Sequence, residues 1–246
     1  MKKETWLSRH ITLHDYDDPQ AEKENAYTHG FGAILAIIAL GLVLGRFSGY
    51  STPELGWGMI LFCATMILLY GSSTFYHLLP KGDAKRIFRV FDHSNIYFLI
   101  AGTYTPLLLY INSPKARLVL FTVWAVAFFG IVTTILFWGK FKVLHVLLYV
   151  AMGWLIVFFW GDIIPYLPQG LLPYVLAGGI TYTVGVAFYA SKRLPHYHAI
   201  WHLFCIGGSA PFFIGFFVKL PVSSCGTVLS HRMPFPPRLV PVRTPA

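Results

Sequence analysis

Charged residues are scarce in this sequence. Only 12% of its 246 residues are Asp, Glu, Lys or Arg and 56% are hydrophobic, whereas soluble domains carry roughly 25% charged residues. This deficit excludes an ordinary soluble domain and indicates a membrane protein, of a length that fits one compact bundle. The formal net charge of +9 does not predict nucleic acid as a partner, because the basic residues lie between apolar runs, where they set topology and meet lipid headgroups.

Two further features are missing. The three cysteines, Cys63, Cys205 and Cys225, form no CxxC pair, and we expect small buried side chains. Cys205, one turn after His202, is the one placed to approach a site. The first 26 residues are polar and contain no apolar core segment, so we expect no cleavable signal peptide. We expect residues 1–26 to form a soluble cytoplasmic arm.

The sequence does contain seven apolar runs, each long enough to cross a membrane as a helix of about 20 residues. Short connections that carry Gly, Pro, Asn, Lys or Arg separate the runs. The chain is therefore predicted to be an all-α integral membrane protein, a seven-transmembrane helix bundle. The runs cover residues 29–48, 56–79, 92–111, 117–138, 142–161, 170–190 and 196–219.

Basic residues predict the orientation of this bundle. If the N-terminus is cytoplasmic, the cytoplasmic segments hold twelve Lys and Arg residues and the external loops hold three, not counting the residues after the seventh run. Lys and Arg are retained on the cytoplasmic side of a membrane, so the distribution favours a cytoplasmic N-terminus and an external C-terminus.

The connection between the second and third runs has a pattern of its own. Ala84, Ile87, Phe88 and Phe91 recur at helical spacing, and the charged residues of this stretch take the other side. The pattern predicts a short amphipathic helix that lies on the cytoplasmic interface.

The predicted orientation brings polar residues from three runs to one membrane depth. His77 falls near the cytoplasmic end of the second run, and Asp92 in the first turn of the third. His198 and His202 fall in the first two turns of the seventh run. Because ionisable side chains are costly inside a membrane and usually mark functional sites, we expect one functional polar cluster near the cytoplasmic face.

The residue types in this cluster are suited to a metal ion. His198 and His202 are four residues apart on one helix face, so both imidazoles can reach one ion. A third imidazole from His77 would leave one coordination position open, which is the arrangement of catalytic zinc. Asp92 could hold water at that position or orient a ligand, and Ser73, one turn before His77, could donate to the water or to a substrate oxygen.

The same stretches resemble the hemolysin III family, the bacterial branch of the progestin and adiponectin receptor superfamily. The resemblance rests on NAYTHGFGA, SSTFYH, FDHSNIYFLIAGTYTP and KRLPHYHAIWH and covers residues 22–215. It implies seven helices, a cytoplasmic N-terminus and a place in the bacterial cell (inner) membrane. It also implies a zinc ion near the cytoplasmic face, with ligands and accompanying polar residues that map onto His77, His198 and His202, and onto Asp92 and Ser73.

Two classes of function stay open. The first is an integral-membrane zinc hydrolase with Asp92 and Ser73 as catalytic residues, and the resemblance implies an amide or ester of a membrane lipid as its substrate. The second is a membrane protein without enzymatic activity: a pore or cytolysin, as the family name asserts, or a receptor-like protein with a structural zinc. Polar residues clustered at one end of the bundle favour a site over a conduit. The oligomeric state does not follow from the sequence.

The remaining boundaries follow from composition. Residues 27–219 are predicted to form the membrane domain. Residues 220–246 contain many prolines and arginines and no apolar periodicity, which is typical of a disordered tail.

The predicted topology can be checked with reporter fusions. A reporter fused at Lys140 is expected to read cytoplasmic, and one inserted within residues 112–116 is expected to read external. Both expectations rest on the retention of Lys and Arg on the cytoplasmic side. Reversed reporters would place the polar cluster at the external face.

Overall fold

In the computed structural model, the described residues are 5–13, 18–191 and 194–222. These residues are mostly helical, and six of their helices are long and apolar enough to cross a membrane. This confirms an all-α membrane protein. In chain order, the α-helices of the described residues are α1 (Trp6–His10), α2 (Pro19–Gly45), α3 (Pro53–Leu78), α4 (Asp83–Ile111), α5 (Pro114–Leu136), α6 (Lys142–Gly153), α7 (Trp160–Ile163), α8 (Leu172–Ala190) and α9 (Tyr197–Lys219). The three short ones are α1, α6 and α7.

Three of the long helices begin at a polar cap followed by proline. The side chains of Asp18, Thr52 and Ser113 each accept a hydrogen bond from a backbone N–H in the first turn of α2, α3 and α5, and the next residue is proline in each case. Such caps satisfy a free N–H, and proline tolerates the first helical position because its missing N–H has no partner there. Local sequence signals therefore set these helix starts.

The outer surface of the bundle is apolar, as contact with lipid requires. On α2, Ile34 and Ile38 are exposed, whereas the small residues Gly32, Ala36 and Ala39 are buried against other helices. Large exposed apolar side chains occur on all six long helices. Small residues let membrane helices approach closely, because packing and not the hydrophobic effect holds such helices together.

Helices α3 and α4 form the centre of the bundle and are the most buried of the six. They approach closely at Gly102, where a Cβ atom would lie 2.3 Å from the Thr65 hydroxyl oxygen. A larger residue at this position would push the two helices apart. This central pair positions the polar residues described below.

The two ends of the bundle have different chemistry. The histidine end, defined by His77, His198 and His202, contains the C-terminus of α3 and the N-termini of α4 and α9. At the distal end, defined by Arg46 and Lys219, the Arg46 side chain donates to the backbone carbonyl of Phe217. The candidate site lies at the histidine end.

The fifth predicted run, residues 142–161, is not one continuous helix. Helix α6 stops at Gly153, and a 3-10 turn, Leu155–Phe159, separates it from α7. The cause is the buried Tyr104 hydroxyl, which donates to the backbone carbonyls of Met152 (2.8 Å) and Gly153 (2.9 Å) and accepts from the Ile156 N–H (3.3 Å). A side chain inserted into the helical hydrogen-bond ladder ends or kinks a helix.

The predicted interfacial helix between the second and third runs is not a separate element. It forms the first turns of α4, which starts at Asp83, so the prediction that the third helix starts at residue 92 was wrong. Ile87 and Phe91 are exposed on the outer surface, as the amphipathic pattern predicts, but Lys85 and Arg89 on the other face are buried in the protein. Hydrogen-bond partners inside the bundle, described below for Lys85, allow these charges to be buried.

The first long helix also starts earlier than the first apolar run. Helix α2 starts at Pro19 rather than at residue 29, and its first turns carry the buried residue Asn25. Ahead of it, Ile11 is buried, and its carbonyl accepts a hydrogen bond from Arg86 of α4. The described part of the arm therefore packs on the histidine end. Most of the predicted tail, residues 223–246, lies outside the described residues.

Replacing Tyr104 with phenylalanine tests the interruption of the fifth run. The variant leaves two carbonyls and one N–H without their partner in an apolar setting, so we expect the free energy of unfolding to fall by about 1–3 kcal/mol. Thermal unfolding in detergent measures the change. Tyr110→Phe, at a partly exposed position on the same helix, is the control, and equal midpoints for both variants would contradict the account.

Candidate metal centre

Three imidazoles converge at the histidine end. His77 comes from the last turn of α3, and His198 and His202 from the first two turns of α9. One ring nitrogen from each lies within 4.8 Å of the others, and these three residues could hold a metal ion. His77 and His202 are buried and His198 is partly buried. The structure thus brings together the histidines that the spacing singled out.

The hydrogen bonds of the rings fit metal binding. Nδ1 of His77 lies 3.0 Å from Oε2 of Glu22, and Nδ1 of His202 lies 3.1 Å from the backbone carbonyl of Asn25. A carboxylate or a carbonyl only accepts, so both Nδ1 atoms carry the proton. In a neutral ring with this tautomer, Nε2 carries a lone pair instead of a proton, and metal-ligating histidines are held in this way.

The donor set also suits a particular kind of ion. Neutral imidazole binds divalent transition metals such as zinc, whereas calcium and magnesium prefer oxygen ligands. Zinc–nitrogen bonds are about 2.0–2.1 Å long, so nitrogens within 4.8 Å of one another need only small ring movements to share an ion. Three protein ligands leave a tetrahedral ion with one open position.

The other two predicted site residues lie beside the histidines. Asp92 is buried, within electrostatic range of His77 and close to the Ser73 hydroxyl. The Ser73 hydroxyl is fully buried. It lies near the Asp92 carboxylate, but the two groups do not meet the distance and angle of a hydrogen bond. Asp92 lies in the third turn of α4, not in the first turn as predicted, because α4 begins earlier. The shift lengthens the helix without moving Asp92 away from the cluster.

Sequence reasoning gave little weight to three residues that the structure places at the site. His29 is buried, and its ring stacks on His202 with centroids 3.5 Å apart. Glu22 and Asn25 were assigned to the soluble arm, yet both contact histidines of the cluster. Their spacing could have indicated a shared location, because positions 22, 25 and 29 lie on one face of a helix.

An apolar cavity lies inside the bundle and is lined in part by helix α9, which also carries His198 and His202. It has a volume of about 110 Å³ and is bounded by α3, α4, α6, α8 and α9. Cys205, one turn from His202, lines it and is a free, buried thiol. The lining also includes Leu69, Ile100, Tyr149, Trp201 and Phe212. An apolar cavity inside a membrane protein favours hydrocarbon over water.

Comparison with known proteins identifies relatives along most of the chain. A family model described as Haemolysin-III related matches residues 18–213. Hemolysin-3 of Bacillus cereus is 40% identical over 205 residues, which cover 82% of this chain and 94% of the relative. The Hemolysin-3 homolog of Bacillus subtilis (strain 168) is 39% identical over 210 residues, or 82% of this chain and 97% of the relative. The human Monocyte to macrophage differentiation factor is 33% identical over 199 residues, which cover 76% of this chain and 79% of the relative.

Metal analysis of the purified protein tests the histidine cluster. We expect about one divalent transition-metal ion per chain, and we expect His202→Ala to lose it because one of three ligands is removed. His145→Ala is the matched control, since His145 bonds to the Tyr97 hydroxyl at 2.7 Å and is not part of the cluster. Equal metal content in the wild type and in a triple alanine variant of His77, His198 and His202 would rule the site out.

Proposed function

The chain belongs to the haemolysin III family, and from this premise we propose that it is an integral-membrane zinc-dependent hydrolase acting on an amide or ester of a membrane lipid. The observation that carries the proposal is the set of three converging imidazoles with Asp92 and Ser73 beside them. Three nitrogen ligands and an open position are the arrangement of catalytic zinc, whereas structural zinc has four protein ligands.

The chemistry divides among the residues of the site. When bound, zinc supplies a Lewis acid that polarises a carbonyl and makes water a good nucleophile near neutral pH. The Asp92 carboxylate takes up the proton of the attacking water as its oxygen adds to the carbonyl carbon. The Ser73 hydroxyl donates to the carbonyl oxygen of the substrate. Asp92 then returns the proton to the departing amine or alcohol as the bond to carbon breaks.

The apolar cavity supports a lipid as the substrate. It reaches Trp201 and Cys205, both within one turn of the ligand histidines on α9. A hydrocarbon chain placed there would bring an adjoining amide or ester group to the histidine end. Substrate and site would then meet within the membrane, with no transfer of the lipid through water.

We also propose that the bundle crosses the membrane seven times with a cytoplasmic N-terminus in the bacterial inner membrane. The interrupted fifth run supports this, because His145 at its start bonds to Tyr97 near the histidine end. Gly170, which follows the run, lies beside Lys219 at the distal end. The segment between them thus leads from one end of the bundle to the other. With the basic residues retained inside, the site would lie at the cytoplasmic face.

The second candidate is a pore, a cytolysin or a receptor-like protein with a structural zinc. The names of the two Bacillus relatives favour the cytolysin. A pore requires polar groups along a continuous path, whereas the cavity inside the bundle is lined mainly by apolar side chains. The hydrolase is therefore the function that the site supports best.

Replacing Asp92 with asparagine separates the two candidates. We expect the variant to stay folded and keep its zinc, yet to lose lipid hydrolysis by about 100-fold or more, because an amide cannot act as a base. Turnover of a ceramide or another lipid amide, followed by mass spectrometry, measures the loss. Asp83→Asn, which changes the same charge in the first turn of α4, is the control.

The zinc content of the Asp92→Asn variant decides how its loss of lipid hydrolysis is interpreted. If Asp92→Asn loses zinc as completely as His198→Ala, then Asp92 is a direct fourth ligand and the site is closed. The structural zinc of a receptor or pore would then be the better interpretation.

A further inference from the structure

We propose that the first turns of α2 form a positioning element for the metal centre, in which Glu22 holds His77 in its ligating orientation. The inference rests on the proposed zinc site and extends it to residues outside the ligand set. It concerns the N-terminal turns of α2, which the sequence pattern assigned to a soluble arm.

The contacts of Glu22 carry the proposal. Its Oε2 atom accepts from Nδ1 of His77 at 3.0 Å and from Nζ of Lys85 at 3.1 Å. The Glu22 side chain is only 17% exposed, and that of His77 is fully buried. A carboxylate on Nδ1 fixes the ring, selects the tautomer whose Nε2 carries the lone pair, and makes Nε2 a stronger ligand.

Lys85 fixes the carboxylate in turn. Its ammonium group also donates to the backbone carbonyls of Tyr76 (2.8 Å) and Leu79 (3.1 Å) at the C-terminus of α3. A lysine that is 4% exposed requires such partners, because an unpaired charge is costly when buried. Lys85 thus joins α4 to the end of α3 and holds Glu22 from α2 at the junction.

The same face of α2 serves a second ligand. Asn25 lies one turn after Glu22, and its backbone carbonyl accepts from Nδ1 of His202 at 3.1 Å. The Thr28 hydroxyl lies 3.0 Å from the same nitrogen. One helix that provides no ligand of its own therefore orients one histidine from α3 and one from α9.

Glu24 provides a matched comparison on the same helix. It is also a partly exposed glutamate of α2, but it pairs with His196, which lies ahead of α9 and outside the metal cluster. Converting Glu24 to glutamine removes the same charge at nearly the same depth. The two variants differ in whether a ligand histidine loses its carboxylate.

The experiment measures zinc affinity of the purified full chain by competition with a chromophoric chelator, together with the ligand-field spectrum of the cobalt-substituted protein. We expect Glu22→Gln to weaken zinc binding by about 10- to 100-fold and to shift the cobalt spectrum. Glu24→Gln is expected to change neither. Unchanged affinity and spectrum in Glu22→Gln, with zinc bound normally by the wild type, would overturn the positioning role alone.

A double-mutant cycle separates positioning from general stability. Zinc binding by His77→Ala is weak and is measured at raised zinc concentration. If Glu22 acts through His77, then Glu22→Gln lowers the affinity much less in this background than in the wild type, whereas a merely structural role makes the two losses additive. Glu22→Asp keeps the charge but withdraws the carboxylate, and we expect about a tenfold loss. This variant decides the question if the glutamine variant does not fold, and wild-type affinity for it would count against the proposal. A wild-type chain that binds no zinc would overturn the metal centre and the positioning role together.

Discussion

The convergence of three imidazoles, two of them buried and one partly buried, at one end of an apolar bundle is the constraint on which the rest of this structure depends. A polar ring taken out of water must recover its hydrogen bonds or bind a ligand. The rings of His77 and His202 recover one bond each from α2, and each ring has a nitrogen within 4.8 Å of those of the other cluster histidines. The helices are arranged so that these partners meet.

The packing of the bundle serves this arrangement. The central helices α3 and α4 approach closely at Gly102, which brings the end of α3, with Ser73 and His77, next to Asp92. Lys85 closes the junction of α3, α4 and α2 through its three acceptors. The apolar cavity is lined by residues of α3, α4 and α9 among others, and these three helices also carry the residues of the polar site.

Local patterns in the sequence predicted much of this. Hydropathy alone located six of the long helices, and the four-residue spacing of His198 and His202 together with the depth of His77 predicted the cluster. The family resemblance agreed with these residues, and the match over residues 18–213 confirms the family. The distribution of basic residues predicted the side of the membrane, which remains a prediction.

The parts that were missed depend on contacts between distant residues. No pattern within residues 142–161 indicates that the Tyr104 hydroxyl interrupts the fifth run at Gly153. Hydropathy placed Glu22 in the arm because a carboxylate raises the polarity of the surrounding stretch of sequence. In the fold, however, Glu22 pairs with the buried side chains of His77 and Lys85. Periodicity describes which face of a helix is polar, but tertiary contacts decide whether that face meets water, lipid or a metal ligand.

The central claim is that three imidazoles hold one zinc ion and leave one position open. X-ray absorption at the zinc edge of the purified protein tests it most directly. We predict three imidazole nitrogens and one further light atom at about 2.0–2.1 Å in the wild type, and no bound zinc in His198→Ala. A closed shell of four protein ligands, or the same number of imidazoles in that variant, would contradict it.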